Sequence, residues 1–227
     1  LEAPNCLDRI GCFCFNPRDY QEDQKEKNMI DSILRQKYQR VLIDPFSRKF
    51  QNVTPSKVTA LAAITGVLVW PLLYLQAPLI ASIFLLLSGY LDTLDGTIAR
   101  LFGKSSSSGA VFDIVSDRLV EFSVIMGLYS VDPLARGFPC LMMLGSVLLC
   151  ITSFLVVGIV TPNKSEKAFY YSPGIMERAE AFIFWIAMMF LPSIFTYLAY
   201  GFSFLVFLTI VLRLKQFRSF ALSLEPT

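Results

Sequence analysis

Long apolar runs separated by short polar segments constrain this chain more than any other feature. Over half of its residues, 54%, are hydrophobic and only 17% are charged, which is too apolar for an ordinary soluble domain. We predict an all-α, polytopic membrane protein with six transmembrane helices, because each run is long enough, or nearly so, to cross a bilayer. The predicted spans cover residues 57–75, 77–101, 109–131, 138–160, 178–191 and 194–212.

The membrane domain is predicted to cover residues 51–220 and to follow two different segments. Residues 1–28 are polar and of mixed charge, and we expect a tail that is either disordered or foreign to the native protein. Residues 29–50 alternate apolar and basic side chains at helical spacing, which predicts an amphipathic helix on the membrane surface. Residues 221–227 are expected to form a short tail.

The distribution of basic residues predicts the orientation in the membrane. Most of the 20 lysines and arginines fall in the amino-terminal region, in the segment that follows span six (residues 213–227) and in the loops after spans two and four. Arg136 is expected in an opposite-side loop. By the positive-inside rule, both termini should therefore face the cytoplasm. The basic residues are not gathered on one face, so we predict no nucleic-acid partner.

Four aspartates interrupt the second and third apolar runs. Asp92 and Asp95 are three residues apart, and Asp113 and Asp117 are four apart, so each pair shares one face of its helix. Carboxylates at membrane depth each cost a few kcal/mol unless they are paired, which points to a functional site. If the two helices are antiparallel neighbours, the four carboxylates can converge on one site.

The ligand chemistry of such a site favours a hard divalent cation. The chain contains no histidine, and ligation by oxygen alone is typical of magnesium, manganese or calcium. Near the aspartates, Gly96 and Ala99 leave one helix face open, while Arg100 supplies a cation suited to phosphate, and Gly109 lies one turn before Asp113. The stretch therefore predicts a site for metal and phosphate.

The spacing of these residues resembles the signature of the CDP-alcohol phosphatidyltransferase family. The pattern D-x-x-D-G-x-x-A-R-x8-G-x3-D-x3-D matches without a gap, at eight fixed positions: Asp92, Asp95, Gly96, Ala99, Arg100, Gly109, Asp113 and Asp117. The resemblance implies a six-span helical bundle, usually dimeric, with a surface helix before the first span. It also implies transfer of a phosphatidyl group from CDP-diacylglycerol to an alcohol, with release of CMP.

The resemblance also implies a role for each signature residue. Two divalent cations, Mg²⁺ or Mn²⁺, would be held by Asp92, Asp95 and Asp113, with Asp117 as a further ligand or as the catalytic base. The CDP group would be bound by Gly96, Ala99, Arg100 and Gly109.

The acceptor alcohol is the open part of the assignment. Candidate residues for a phosphorylated acceptor are Lys104, Arg118, Lys164 and Arg178, all expected near the aspartates. The run P-G-x-x-E-R-x-E at 173–180 is similar to members that use inositol phosphate, which we take as the leading acceptor. Synthesis of phosphatidylglycerophosphate or phosphatidylserine is the alternative within the family, and a cation transporter is the alternative from another class.

Overall fold

The computed structural model describes residues 53–160, 175–176 and 178–222, with side chains as far as residue 218. This part of the chain has no strand, which confirms the all-α fold. The predicted tail at 1–28, the surface helix at 29–50 and Lys164 lie outside the described residues, as does the chain after residue 222. The helices are α1 (Pro55–Val67), α2 (Val69–Tyr74), α3 (Pro78–Leu101), α4 (Ser107–Val131), α5 (Pro133–Val160), α6 (Arg178–Phe190) and α7 (Phe195–Leu222).

Four helical segments of the described part are long and apolar enough to cross a membrane. They are Pro55–Tyr74, Pro78–Leu101, Pro133–Val160 and Pro192–Arg218. Helix α4 is long enough, but it carries Asp113, Asp117, Arg118 and Glu121, and α6 has only 13 described residues. A count of six spans therefore remains a prediction.

The first predicted span, 57–75, is divided into α1 and α2 near Leu68. Pro71 has no backbone N–H to donate to the carbonyl of Val67, and its ring crowds that carbonyl. The neighbouring bonds persist, since Leu68 N–H donates to Ile64 O at 3.1 Å and Leu72 N–H to Leu68 O at 3.2 Å. The proline thus bends the segment without ending it.

A tight turn joins α2 to α3. Gln76 adopts a left-handed backbone conformation with φ of 55°, and Ala77 N–H donates to Leu72 O at 3.0 Å. This is the Schellman arrangement, which satisfies carbonyls at a helix end. Pro78 then begins α3, so the chain reverses direction within three residues.

Several helix ends differ from the predicted spans, and polar side chains cap two of the observed starts. Helix α4 begins at Ser107 rather than at 109, since Ser106 Oγ accepts a bond from Gly109 N–H at 3.1 Å. Helix α5 begins at Pro133 rather than at 138, with Asp132 Oδ1 accepting from Ala135 N–H at 3.1 Å. Helix α7 continues to Leu222 rather than ending at 212.

The placement of Arg136 in a loop was wrong. It lies in the first turn of α5, where it is buried. Its Nη1 donates to Leu128 O at 3.2 Å, near the end of α4, and its guanidinium lies 4.4 Å from the centre of the Phe195 ring. A helix end rich in unpaired carbonyls favours a cation, so the arginine is bound within the protein rather than exposed in a loop.

The bundle is organised around α1 and α2, which pack against both α3 and α4. Helix α5 packs against α4 and α7, and α6 lies against α7 and α3. In contrast, α3 and α4 barely approach each other among the described residues. The core beside this gap is filled by large apolar side chains: Ile125, Leu128, Met143, Trp185, Met188 and Phe202.

Gly66 allows the close approach of α1 to α4. A Cβ at this position would lie 2.4 Å from Val120 Cγ2 and 2.8 Å from Ser88 Oγ. The same contact is joined to α3 by a bond from Ser88 Oγ to Ala62 O at 2.8 Å. Small residues at helix interfaces allow such packing within membranes.

We therefore expect Gly66→Ala to destabilise the bundle by about 1–3 kcal/mol, because the added methyl group forces α1 and α4 apart. The midpoint of thermal unfolding in detergent should fall by roughly 3–10 °C. Gly145→Ala is the matched control, since nothing lies within 4 Å of a Cβ there. Equal midpoints for the two variants would contradict the packing described.

Candidate metal and phosphate site

Three carboxylates form a compact group at one end of the bundle. Asp92, Asp95 and Asp113 each offer an oxygen, and these oxygens lie within 4.8 Å of one another. Asp95 is buried, with only 5% of its surface exposed. Its Oδ2 and the Oδ1 of Asp113 are buried without a hydrogen-bond partner. Buried, unpaired carboxylate oxygens in such a group fit a hard divalent cation.

The local sequence places these side chains at the end of the bundle where α3 ends and α4 begins. Asp92 and Asp95 lie in about the last three turns of α3, and Asp113 and Asp117 in about the first three turns of α4. The link 102–106 reverses the chain between the two helices. Lys104 N–H donates to Ala99 O at 2.9 Å, with Gly103 in the left-handed conformation at φ 62°.

The expectation that α3 and α4 are packed neighbours was only partly right. The helices are consecutive and their carboxylates converge, but α1 packs against both of them and their backbones stay apart. On the α1 side, Thr59 is buried, and its Oγ1 donates to Pro55 O at 3.1 Å. The resulting gap between α3 and α4 gives the carboxylates a shared space.

Asp117 lies beside this group and is bound to an arginine. Arg178, the first residue of α6, donates from Nη2 to Asp117 Oδ1 and from Nη1 to Asp92 Oδ2. One guanidinium therefore connects α3, α4 and α6 at the site. Charge-assisted bonds of this kind hold buried carboxylates firmly.

The four residues predicted to bind CDP flank the carboxylates. Gly96 follows Asp95 directly, and a Cβ there would lie 3.4 Å from Arg100 Nη1. The Arg100 guanidinium lies along the helix beside this glycine, and its Nη2 is 3.4 Å from Thr97 Oγ1. Arg100 is exposed, and Ala99 and Gly109 are half-buried at the same end of the bundle.

The candidate acceptor residues fall in different places. Arg178 contacts the aspartates as described. Arg118 Nη1 lies 2.7 Å from Glu121 Oε2, and its Nη2 lies 3.9 Å from Asp117 Oδ2. Lys104 is further along the link, where Nζ lies 3.5 Å from Val53 O and 6.0 Å from the centre of the Phe102 ring.

Sequence reasoning missed two charged residues at this end of the bundle. Glu121 lies one turn after Asp117, and its side chain is only 17% exposed. Its spacing of four residues from Asp117 was the available signal. Arg213 was counted as part of the basic tail, but it is buried, with Nη1 donating to Cys150 O at 2.9 Å and to Ser153 Oγ at 3.1 Å.

Arg213 is connected to the segment that precedes Arg178. Thr209, one turn before Arg213 on α7, accepts a bond on its Oγ1 from Met176 N–H at 3.0 Å. Among the described residues at this end, three carboxylates form ion pairs, and all three lie at the aspartate site: Asp92, Asp117 and Glu121. Within the described part of the chain, the partners of Arg213 are neutral groups, and its Nε is buried without a hydrogen-bond partner.

Comparison with known proteins gives consistent matches. The family model for CDP-alcohol phosphatidyltransferase matches residues 52–214. The archaetidylinositol phosphate synthase of Pyrococcus horikoshii is 35% identical over 34% of this chain, a match that spans only 41% of that protein. The inner membrane protein YnjF of Escherichia coli is 30% identical over 63% of this chain and 73% of its own length.

A solved structure has the same fold. The phosphatidylinositol phosphate synthase of Mycobacterium tuberculosis with CDP-DAG bound superposes with a TM-score of 0.65 at 21% identity. The match covers 78% of this chain and 93% of that one. Together with the long apolar helices, these matches identify the chain as an integral membrane protein.

Proposed function

Because this chain belongs to the CDP-alcohol phosphatidyltransferase family, we propose that it transfers a phosphatidyl group from CDP-diacylglycerol to an alcohol and releases CMP. The observation that carries this proposal is the group formed by Asp92, Asp95 and Asp113, whose oxygens lie within 4.8 Å of one another. Family membership also removes the cation-transporter alternative. The acceptor that we favour is inositol phosphate.

Asp92, Asp95 and Asp113 bind divalent cations, Mg²⁺ or Mn²⁺, in this proposal. The unpaired buried oxygens of Asp95 and Asp113 support the assignment, since a buried carboxylate requires a compensating charge. Two such cations, with Asp117 as a further ligand or as the base, would neutralise the negative charge of the pyrophosphate. The carboxylates would hold these cations, and through them the pyrophosphate, at one end of the bundle.

The reaction exchanges one phosphorus–oxygen bond for another. The acceptor hydroxyl attacks the lipid-side phosphorus, the bond from that phosphorus to the bridging oxygen breaks, and CMP leaves with that oxygen. The proton of the hydroxyl passes to the carboxylate of Asp117. This assignment is supported by the position of Asp117, which lies beside the three other aspartates while Arg178 fixes its Oδ1.

Binding of the CDP group is assigned to the surface formed by Gly96, Ala99, Arg100 and Gly109. Arg100 is exposed and makes no ion pair with a carboxylate among the described residues, so it can bind phosphate without first breaking one. The small residues beside it leave space for the nucleotide to approach the helix backbone.

Inositol phosphate is favoured as the acceptor for two reasons. Relatives of this chain carry the names archaetidylinositol phosphate synthase and phosphatidylinositol phosphate synthase. Arg178 and the buried Arg213 also supply cations at the carboxylate end, which suits an acceptor that carries its own phosphate. Lys164 and Lys104 remain further candidates, and glycerol 3-phosphate or serine would be the alternative acceptors.

The site faces the cytoplasm in this proposal, as do both termini, because the basic loops lie on the same side as the aspartates. A cytoplasmic nucleotide-linked lipid and a soluble acceptor can then reach it. The protein is further proposed to act as a homodimer in the bilayer.

CMP release by the purified protein tests the proposed function. CDP-diacylglycerol and Mn²⁺ would be combined in turn with inositol phosphate, glycerol 3-phosphate, serine and inositol. We expect release with inositol phosphate and little with the others. Release with glycerol 3-phosphate alone would change the acceptor but keep the reaction, whereas folded protein that is silent with all four would overturn the proposal.

A further inference from the structure

The residues Arg118 and Glu121 form an ion pair on α4 directly beside Asp117. Arg118 Nη1 lies 2.7 Å from Glu121 Oε2, a close ion pair whose two groups are not aligned as a hydrogen bond. Glu121 is one turn from Asp117, so two carboxylates of like charge lie on the same helix face. Neither Arg118 nor Glu121 belongs to the eight-position signature. Arg118 does lie close to Asp117, which is one of its positions.

Asp117 has an arginine on each side, but at very different distances. Arg178 donates directly to Oδ1. Arg118 Nη2 is 3.9 Å from Oδ2, too far for a hydrogen bond. A movement of about 1 Å would bring it to the bonding distance of a charge-assisted pair. The second oxygen of Asp117 therefore stays available only while Arg118 is held elsewhere.

Glu121 is well placed to hold it. Its side chain is 17% exposed, whereas that of Arg118 is 36% exposed, so the carboxylate is the more fixed member of the pair. A guanidinium with a partner at 2.7 Å has less tendency to move towards a second carboxylate. Without Glu121, the nearest carboxylate to Arg118 among the described residues would be that of Asp117.

We propose that Glu121 is a positioning residue that holds Arg118 away from Asp117 and so keeps Asp117 Oδ2 available to the acceptor hydroxyl or a cation. This inference rests on the proposed function. This role differs from acceptor binding by Arg118. Here, when Glu121 is lost, Arg118 binds Asp117 and blocks its Oδ2. A second substitution should therefore repair the first.

The test compares four proteins: wild type, Glu121→Gln, Arg118→Gln, and the double variant. Glu121→Gln should lower kcat at least tenfold with little change in the KM for CDP-diacylglycerol, because Arg118 moves onto Asp117. The double variant should recover most of that loss, since the arginine is gone. Glu121→Asp, which keeps the charge, should retain more activity than Glu121→Gln.

Binding of Mn²⁺, measured by electron paramagnetic resonance without substrate, supplies a readout independent of turnover. Glu121→Gln should bind Mn²⁺ more weakly than wild type, and the double variant should approach wild type again. A double variant as impaired as Glu121→Gln in both measurements would overturn the proposal. So would an Arg118→Gln variant whose main defect is a raised KM for the acceptor.

The outcomes separate this inference from the proposed function. If wild type releases no CMP with any acceptor, the proposed function fails. The Mn²⁺ affinities of the four proteins still test whether Glu121 holds Arg118 away from Asp117. If wild type is active and the four proteins show no repair, only the role of Glu121 fails. Thermal unfolding midpoints within a few degrees of wild type establish that each variant is folded.

Discussion

Asp95→Asn is expected to abolish measurable turnover and to weaken Mn²⁺ binding. Asp95 is the most buried of the aspartates, and its Oδ2 has no hydrogen-bond partner. The amide removes one charge and replaces a ligand oxygen with an NH₂ group that cannot bind a cation. Since a bound metal supplies several kcal/mol of charge stabilisation, we expect kcat to fall by about a thousandfold or more.

The control for this substitution is Asp132→Asn. Asp132 is exposed at the opposite end of α4, and its Oδ1 caps α5 through Ala135 N–H at 3.1 Å. Asparagine is an equally good cap, so activity and stability should stay near wild type. Asp95→Asn with normal Mn²⁺ affinity and normal turnover would contradict the assignment of this aspartate as a ligand.

Asp117→Asn should separate chemistry from binding. The amide oxygen can still accept the bond from Arg178, so the local structure should persist. The group can no longer take a proton, and a lost general base typically costs a factor of about 10²–10⁴ in kcat. Binding of CDP-diacylglycerol should remain, because Asp92, Asp95 and Asp113 still form their group.

Two measurements check this prediction: single-turnover CMP release and equilibrium binding of CDP-diacylglycerol, both with Asp132→Asn alongside. Lost turnover with retained lipid binding supports Asp117 as the base. If binding of the lipid or of Mn²⁺ disappears together with turnover, Asp117 acts as a ligand instead. If turnover persists while binding is lost, the division of roles among the four aspartates is reversed.

The sequence was sufficient to predict which aspartates lie together, because spacing along one helix determines which side chains share a face. Asp92 with Asp95, and Asp113 with Asp117, are pairs of this kind. The signature also located the reversal between the two helices, and the all-α fold followed from the apolar runs. These features depend on residues close together in the chain.

Contacts between distant residues could not be predicted in the same way. The position of α1 against both α3 and α4 depends on close approach at Gly66, which spacing does not reveal. The sequence predicted that Arg178 lies near the aspartates, but not that it donates directly to Asp92 and Asp117, which are more than sixty residues away in the chain. Hydropathy also placed Arg213 after the last span, because a charged residue lowers the local hydropathy and so marks the end of an apolar run. In the structure, however, Arg213 is bonded inside the protein, to Cys150 O.

The end of α7 also could not be predicted from hydropathy. The predicted span stops at 212, but the helix continues to Leu222 because nothing in its backbone requires it to stop where the membrane does. Helix length and membrane thickness are separate quantities. The packing of Arg213 against Cys150, Ser153 and Phe154 shows that the helix is still part of the bundle just beyond residue 212.

The central claim is that the aspartate group drives a metal-dependent release of CMP. The most direct test uses protein stripped of metal by a chelator, incubated with CDP-diacylglycerol and inositol phosphate, before and after Mn²⁺ is added back. The account predicts no CMP before the addition and full release after it, with Asp95→Asn silent in both conditions. Equal release with and without metal, or full release by Asp95→Asn, would contradict it.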